Sequence, residues 1–214
     1  MEIHPIKLDG NWIEGWALDF HTISSKRVSE PVYIEVYNNK GQIELIEADG
    51  PVSVQTIRPP IAESLFQLKY HFDKTKVDEI ANSASIFLAN KISTWRINYV
   101  IPIPPSDLTR SFQPVYELVN SISKKSKLIV NFEILKKIKS TSQLKSITNL
   151  EERRSILKGA FDCGFNALNG KNILLFDDLY RSGETLNSAI SILKSKGKCS
   201  NIYVLTITKT RIKS

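Results

Sequence analysis

Apolar runs alternate with amphipathic segments along the carboxyl half of the chain. QPVYELVNSI and TLNSAISILKSKG carry apolar residues at helical spacing, and the second of these segments is expected to end near Gly197. Between and around them lie four runs typical of buried β-strands, INYVIPIPP, KLIVNFEIL, NILLFDD and NIYVLTITKT. Strands that alternate with helices of this length predict a parallel sheet covered on both faces. Residues 95–210 are therefore expected to form an α/β domain.

The amino half has a different pattern. PVYIEVY and QIELIEA are rich in strand-forming residues and flank NNKG, so they predict a β-hairpin. GNWIEGWALDFHT is aromatic and irregular, and we interpret its His21 as a structural residue. Apolar residues from Ile61 to about Trp95 indicate two helices divided near residues 71–75. The predicted division is a β-rich amino-terminal lobe, residues 1–58, followed by an α/β domain, residues 59–214.

Composition excludes several classes of protein. The chain has 214 residues, of which 42% are hydrophobic and 24% charged, as in ordinary globular proteins. No run approaches the roughly 18–20 apolar residues of a membrane span, and the amino terminus does not have the order of a signal peptide. We therefore expect a cytoplasmic protein without a membrane partner. Cys163 and Cys199 stand far apart, which argues against a zinc site or a disulfide framework.

Positive charge is concentrated in one segment. The net charge is +7, and the segment from Lys124 to Lys158 contains ten Lys or Arg residues against three Glu. Such a segment should attract anions. A solvated helix face, a nucleic-acid surface and a site for a phosphorylated small molecule are the alternatives, and Phe132 is the only aromatic residue there for stacking bases.

Two adjacent carboxylates, Asp177 and Asp178, come directly after the apolar run NILLF. Ligands bind outside the carboxyl ends of strands in an open parallel sheet, and these acids are expected there. The loop LYRSGET follows, so backbone N–H groups near Gly183 can form an anion cradle that the next helix dipole assists. Ser182 and Thr185 add hydroxyl donors. A ribose 5-phosphate would suit both the cradle and the acids, which can accept hydrogen bonds from paired hydroxyls or hold a divalent cation.

The same segment resembles a known motif. It lacks the Walker loop and GxGxxG. An apolar run, two acids, two further residues and a Ser-Gly-x-Thr loop are similar to the motif of type I phosphoribosyltransferases that binds 5-phosphoribosyl-1-pyrophosphate (PRPP). Three other blocks resemble the competence-protein F (ComF) family, namely SLFQLKY, VIPIPPSDLTRSFQPVYELV and QLKSITNLEERRSILKGAF. Together the four blocks cover roughly residues 58–211.

The resemblance implies a parallel-sheet type I phosphoribosyltransferase fold with a small β-rich amino-terminal lobe. Asp177 and Asp178 would contact the ribose hydroxyls, and Mg²⁺ would bridge ribose and pyrophosphate oxygens. The turn at Pro102 to Ser106, which includes Pro104 and Pro105, would receive the pyrophosphate. The residues implied to cradle the 5-phosphate are Arg181, Ser182, Gly183, Glu184 and Thr185. The segment around Lys136 to Lys158 would be a mobile hood over the site.

The implied reaction needs positive charge beside the leaving group. As the bond between the anomeric carbon and pyrophosphate breaks, negative charge builds on the pyrophosphate, and lysine, arginine and Mg²⁺ would neutralise it. Arg153 and Arg154 are the first candidates for this role, followed by Lys69 and Lys145. A solvated surface charge is the alternative for each of the four.

The chain departs from the family pattern in three ways. Many family members read TTGAT where this chain reads RSGET, so Glu184 brings negative charge to the phosphate cradle. Arg181 argues against ordinary hypoxanthine or guanine chemistry, although it could clamp the phosphate through two hydrogen bonds. The cysteine-rich zinc motif of competence-type relatives is absent, and residues 1–58 take its place.

Three hypotheses follow. The first is an enzyme that transfers phosphoribosyl from PRPP to a nitrogen nucleophile and releases pyrophosphate, with Mg²⁺ as cofactor. The second is a non-catalytic module that binds PRPP or a nucleotide and acts as a regulator. The third is a ComF-like accessory factor in DNA uptake that binds single-stranded DNA. The expected partners are a small phosphorylated compound, single-stranded DNA in the third hypothesis, and a second copy of the chain in a homodimer.

Overall fold

The computed structural model describes residues 1–29, 32–37, 43–48, 52–105, 111–139 and 150–211. Its strands are β1 Ile6–Lys7, β2 Glu14–Phe20, β3 Ser24–Ser29, β4 Val32–Tyr37, β5 Ile43–Ala48, β6 Val52–Ile57, β7 Tyr99–Pro102, β8 Leu135–Lys137, β9 Phe161–Cys163, β10 Ile173–Tyr180 and β11 Ile202–Lys209. Its helices are α1 Pro60–Tyr70, α2 Lys76–Ala89, α3 Ile92–Trp95, α4 Pro114–Ser126, α5 Leu150–Leu157 and α6 Glu184–Ser195. The two helices predicted between Ile61 and Trp95 correspond to α1 and α2.

A mostly parallel sheet forms the centre of the molecule. Its strand order is β1-β2-β11-β10-β7, and only the edge strand β1 is antiparallel to its neighbour. Strand β10 lies between β11 and β7, with Phe176 opposite Leu205 on one side and opposite Pro102 on the other. The predicted α/β class with a parallel sheet is confirmed at this level.

The sheet is buried on both faces, as predicted. On one face Leu174, Phe176 and Leu205 pack with the apolar sides of α1, α2 and α4. On the other face Leu175 and Val204 pack with the apolar side of α6 and with residues of β8 and β9. Because consecutive residues of a strand point to opposite faces, a nearly continuous apolar run is what a strand covered on both sides requires.

Strand β2 was not recognised in the sequence. Residues 14–20 pair in parallel with β11 along Tyr203 to Lys209 and are therefore part of the central sheet. The sequence predicted an irregular segment here because Glu14, Gly15 and Asp19 interrupt its apolar pattern. Gly15 is needed there, since a Cβ atom would lie 2.4 Å from Nε1 of Trp12. The pairing with β11 outweighs the low strand propensity of this sequence.

The rest of the amino-terminal segment forms separate ribbons. Strands β4 and β5 pair antiparallel, with Val32 opposite Ala48 and Tyr37 opposite Ile43, which confirms the predicted hairpin. Strands β3 and β6 form a second antiparallel pair. The predicted turn residues, 38–41, lie outside the described positions. The boundary at residue 58 stays a prediction, while β1 and β2 lie in the central sheet.

The predicted strand KLIVNFEIL is wrong over most of its length. Lys127 ends α4 in a left-handed conformation, and only Val130 forms a single bridge to Val100 of β7. The side-chain oxygen of Asn131 then accepts hydrogen bonds from the N–H groups of Glu133 and Ile134, each at 2.9 Å. An Asn that binds the backbone two and three residues ahead favours a turn, so extended pairing resumes only at β8.

Candidate functional site

The two acids lie at the carboxyl edge of the sheet, where β10 extends past β7. Strand β7 ends at Pro102, opposite Phe176, whereas β10 continues through Asp177 and Asp178 to Tyr180. The acids are thus inside the strand rather than after it, and Asp177 lies opposite Thr206 of β11. Among the described residues no strand pairs with the β7 side of β10 from Asp177 onward, and this is the edge where a parallel sheet is expected to bind a ligand.

Asp178 forms an ion pair with Lys69 at the end of α1. The Nζ atom of Lys69 lies 2.6 Å from Oδ2 of Asp178, and the side chains are 25% and 12% exposed. Burial alone would lower the pKa of Lys69, but the charge and hydrogen bond of Asp178 outweigh it, so this pKa is raised. Lys69 is therefore a fixed positive charge at the site. The structure brings together these two residues, which the sequence separates by more than 100 positions.

The neighbouring acid, Asp177, has a strongly raised pKa. Burial and the negative charge of Asp178 raise its pKa to about 7, despite a 2.8 Å hydrogen bond from the backbone N–H of Asp178 and the charges of Lys69 and Lys137. Asp177 is therefore near its pKa at neutral pH and can release a proton when a cation or a hydrogen-bond donor binds. Its neighbour Asp178 is held in the ion pair with Lys69.

The raised pKa predicts how the stability of the free protein depends on pH. An acid whose pKa is higher in the folded state binds more protons there, so the free energy of unfolding should fall as pH rises from about 4 to about 7. Asp177→Asn removes this loss and should raise the melting temperature at pH 8 by about 2–8 °C. Thermal unfolding of the variant and wild type at pH 5 and pH 8 measures the effect. If the melting temperature of the variant exceeds that of wild type by no more at pH 8 than at pH 5, the assigned pKa is wrong.

His21 belongs to the same edge, directly after β2. Its Nδ1 atom lies 3.1 Å from Oγ1 of Thr208, and that hydroxyl donates to the carbonyl oxygen of Asp178 at 3.3 Å. Because the hydroxyl has one hydrogen, Nδ1 of His21 must donate, which leaves Nε2 as the acceptor in the neutral ring. Burial, together with the positive charges of Lys69 and Arg58, lowers the pKa of His21 and favours that neutral form.

The loop after β10 has the features of an anion cradle. Gly183 caps α6 in a left-handed conformation with φ of 78° and, as a glycine, donates or accepts no side-chain hydrogen bond at this helix end. The first backbone N–H groups of α6 have no acceptor within the helix, as at every helix start. Oγ of Ser182 is buried and has no hydrogen-bond partner among the described residues. Tyr180 packs beside the loop and contacts the ring of Trp12 edge to face.

Gly183 offers a matched test with Gly170. Both have positive φ, 78° and 68°, but a Cβ atom at Gly183 would lie 2.9 Å from the hydroxyl oxygen of Tyr180, whereas nothing lies within 4 Å at Gly170. Alanine should cost about 1 kcal/mol of stability at Gly170 through backbone strain alone. At Gly183 displacement of Tyr180 should add about 1–3 kcal/mol. Urea unfolding of both variants measures the loss of stability in each. Equal losses at the two positions would mean that Tyr180 does not constrain the loop.

The other residues singled out from the sequence have varied positions. Pro104 and Pro105 follow β7 at the same edge, and the N–H of Ile103 still donates to the carbonyl oxygen of Phe176 at 2.8 Å. Arg181 is exposed, while Glu184 and Thr185 are in the first turn of α6 and partly buried. Their roles stay predictions. The residues that lie outside the described positions are Ser106 and Lys145. Arg153 and Arg154 are in α5, and their side chains are outside the described part of the structure.

Two residues near the acids were not named as site residues from the sequence. His21 was interpreted as structural because a lone histidine among aromatic residues usually is, and its hydrogen bond with Thr208 is compatible with that interpretation. Lys137 lies in the segment that the resemblance implied to be a hood over the site, but it was not singled out, and the short strand β8 brings it within electrostatic range of Asp177. Burial lowers the pKa of Lys137, and the charge of Asp177 opposes this effect. A strand of three residues has no sequence signal that would have revealed the placement.

A metal-binding cluster and a membrane-crossing helix are both absent from the described part of the chain. In the described ranges no three His, Cys, Asp or Glu side chains converge as ligands for a metal ion. None of the helices with described residues has the length and apolarity that a membrane crossing requires.

Comparison with known proteins supports the resemblance to the ComF family. The chain is 27% identical over 164 residues to the competence protein ComFC of Bacillus subtilis (strain 168). That alignment covers 74% of this chain and 63% of ComFC, so the chain spans less than two thirds of its relative. No protein-family model matches the chain. The similarity concerns a competence protein and carries no test of phosphoribosyl transfer.

Proposed function

We propose that this protein is a ComF-like accessory factor in DNA uptake that binds single-stranded DNA and holds a phosphorylated ribose at the edge formed by Asp177 and Asp178. The similarity to a competence protein and the net charge of +7 support the DNA-binding part. One observation carries the ribose phosphate part. Two acids, one with a raised pKa and the other paired with Lys69, lie shortly before a helix start that is led by a glycine.

The chemistry of the acids suits a ribose with its phosphate groups. Asp178 can accept hydrogen bonds from adjacent hydroxyls, and the loop from Ser182 to the first turn of α6 supplies donors to a phosphate. Mg²⁺ would fit this site together with such a ligand, because it commonly binds one or two carboxylates and completes its coordination with phosphate oxygens and water. When bound, the ion would neutralise part of the phosphate charge. Lys69 and Lys137 would add positive charge from the protein.

A second candidate function is transfer of phosphoribosyl from PRPP to a nitrogen nucleophile. The two lysines near the acids favour it, since Lys69 and Lys137 could stabilise negative charge on departing pyrophosphate. In this function the protein would be an enzyme, and its acceptor would bind beside Asp177 at the carboxyl edge of the sheet. The binding site would be the same in both functions.

Three measurements separate these functions. Calorimetric titration with PRPP, with and without Mg²⁺, tests the ribose phosphate site. A pyrophosphate-release assay against ammonia, glutamine and a panel of bases tests transfer. Fluorescence anisotropy with a labelled single-stranded oligonucleotide at two salt concentrations tests the DNA-binding part, because affinity for phosphates falls steeply with salt. Binding of PRPP and DNA without release supports the accessory factor. Absence of PRPP binding would refute the ribose phosphate site.

A further inference from the structure

Aromatic side chains cluster at the carboxyl end of α1, immediately after the residue that pairs with Asp178. The residues of this cluster, called here the α1 platform, are Phe66, Tyr70, His71, Phe72 and Phe112, of which Phe112 is buried and supports the ring of Phe72 from below. The ring of Phe66 lies 5.0 Å from that of Tyr70 and 5.4 Å from that of His71, and Phe72 contacts Phe112 edge to face at 6.4 Å. We infer that the α1 platform stacks the bases of single-stranded DNA. This inference rests on the DNA-binding part of the proposed function and assigns it a surface.

Exposure of two platform rings is the first reason. The side chains of Tyr70 and Phe72 are 61% and 60% exposed, although the core beneath α1 is well filled by Leu65 and Leu68. Large aromatic rings left in water next to a binding site offer faces for stacking, and every nucleobase has a π-face that can use them. Stacking of this kind is tolerant of sequence, as an accessory factor for DNA of any sequence would need.

The backbone at Phe72 is the second reason. Phe72 follows the helix cap of α1 and adopts a left-handed conformation with φ of 56°. Gly or Asn usually occupies such a position, and a bulky residue there is an outlier that carries conformational strain. Folding alone would favour Gly or Asn at residue 72. A strained and exposed aromatic ring is explained if the ring serves a ligand.

Positive charges beside the rings are the third reason. The guanidinium of Arg58 lies 4.0 Å from the centre of the Phe66 ring, and Nζ of Lys74 lies 5.2 Å from that of Phe112. Further along the same edge, Lys209 lies over Tyr180 and Arg211 over Phe20. Cations interleaved with aromatic rings match a strand of phosphates and bases better than a single nucleotide, because they are spread along the edge.

The acidic residues of this segment do not oppose the assignment. Glu63 accepts a hydrogen bond from Arg58 at 3.3 Å, and Asp73 accepts hydrogen bonds from the backbone and hydroxyl of Thr75. Both are therefore engaged within the protein. Lys69 directs its charge to Asp178, and the phenol of Tyr70 is within electrostatic range of Lys69. The α1 platform is thus continuous with the ribose phosphate site.

Two exposed variants and one matched control test the inference. The variants are Tyr70→Ala and Phe72→Asn, and the control is Phe165→Ala, a 74% exposed ring before β10 at the opposite edge of the sheet. Each platform variant should weaken binding of a fluorescein-labelled oligothymidine by about 5- to 150-fold, the range found when a stacking aromatic is replaced by alanine. Phe72→Asn should at the same time raise the melting temperature, because Asn relieves the strained backbone. A purely structural role for Phe72 predicts lower stability instead.

An abasic oligonucleotide of the same length separates base stacking from charge. Wild type and platform variants should bind the abasic oligonucleotide with equal affinity. The salt dependence of oligothymidine binding should be the same in wild type and variants. Both measurements report contacts with phosphates, which the variants leave in place. PRPP titration should also be unaffected.

If wild type binds oligothymidine and the platform variants bind it as tightly as Phe165→Ala does, the inference is wrong and the proposed function stands. If wild type binds no oligonucleotide, the DNA-binding part of the proposed function fails and the platform with it. Weakened PRPP or mononucleotide binding would assign the rings to a small ligand and overturn the inference.

Discussion

Replacing both acids, Asp177→Asn with Asp178→Asn, should weaken binding of PRPP with Mg²⁺ by roughly 100-fold or more. In the proposed site the double variant removes the acceptors that the ribose hydroxyls would use and the carboxylates that would share Mg²⁺ with the phosphates. A hydrogen bond to a charged group contributes about 1.5–3 kcal/mol, so the loss of two accounts for a change of this size. Calorimetric titration of the double variant and wild type gives the affinity ratio directly.

Two controls make this result specific to the site. Asp162→Asn removes a carboxylate that accepts a 2.5 Å hydrogen bond from Lys196 outside the candidate site, and its PRPP affinity should equal that of wild type. Thermal unfolding of the double variant checks that the fold survives, because Lys69 loses its partner at 2.6 Å. If a folded double variant binds PRPP as tightly as wild type, the phosphorylated ligand binds elsewhere.

Glu14→Gln should destabilise the protein by about 2–3 kcal/mol. The carboxylate accepts hydrogen bonds from Lys91 at 2.6 Å, from the indole of Trp16 at 2.6 Å and from the indole of Trp95 at 2.9 Å. Burial would raise the pKa of Glu14, but these donors outweigh it and lower the pKa to about 2. At about 1.4 kcal/mol for each pKa unit, the charged form contributes on the order of 3 kcal/mol to folding at neutral pH.

The same carboxylate predicts acid sensitivity. A lowered pKa in the folded state stabilises the protein fully above the unfolded value of 4.5, and this stabilisation is lost as pH falls toward 2. Urea unfolding from pH 7 to pH 2 should therefore show the wild-type advantage over Glu14→Gln shrinking in that window. Asp78→Asn is the control, because Asp78 pairs with Lys125 at 2.8 Å on the surface and should matter little. A constant difference between wild type and Glu14→Gln at all pH values would contradict the assignment.

The central elements were predictable from the sequence because their signals are local and strong. NILLFDD and NIYVLTITKT are continuous apolar runs, and they form the two strands at the middle of the sheet, β10 and β11. TLNSAISILKSKG places its apolar residues on one face, and it forms α6 against that sheet. The acids and the glycine loop were predicted at the strand end because strand, turn and helix follow one another within 14 residues, 172–185.

Weak or distant signals explain what was missed. Residues 14–20 have too many polar positions to read as a strand, and only pairing with β11 makes them one. KLIVNFEIL has the composition of a strand, yet Asn131 turns the chain and leaves one bridge to β7. His21 was not connected with the acids because nothing near it in the sequence suggests Thr208 or Asp178 as neighbours.

Sequence alone determined the class of fold and the position of the two acids, since both depend on patterns within a few residues. Tertiary structure decided their chemistry. The ion pair between Lys69 and Asp178, the pKa of Asp177 near 7 and the approach of His21 all arise from segments far apart in the chain. Ionisation depends on burial and on the charges within a few ångströms, and a folded chain sets both by packing distant residues together.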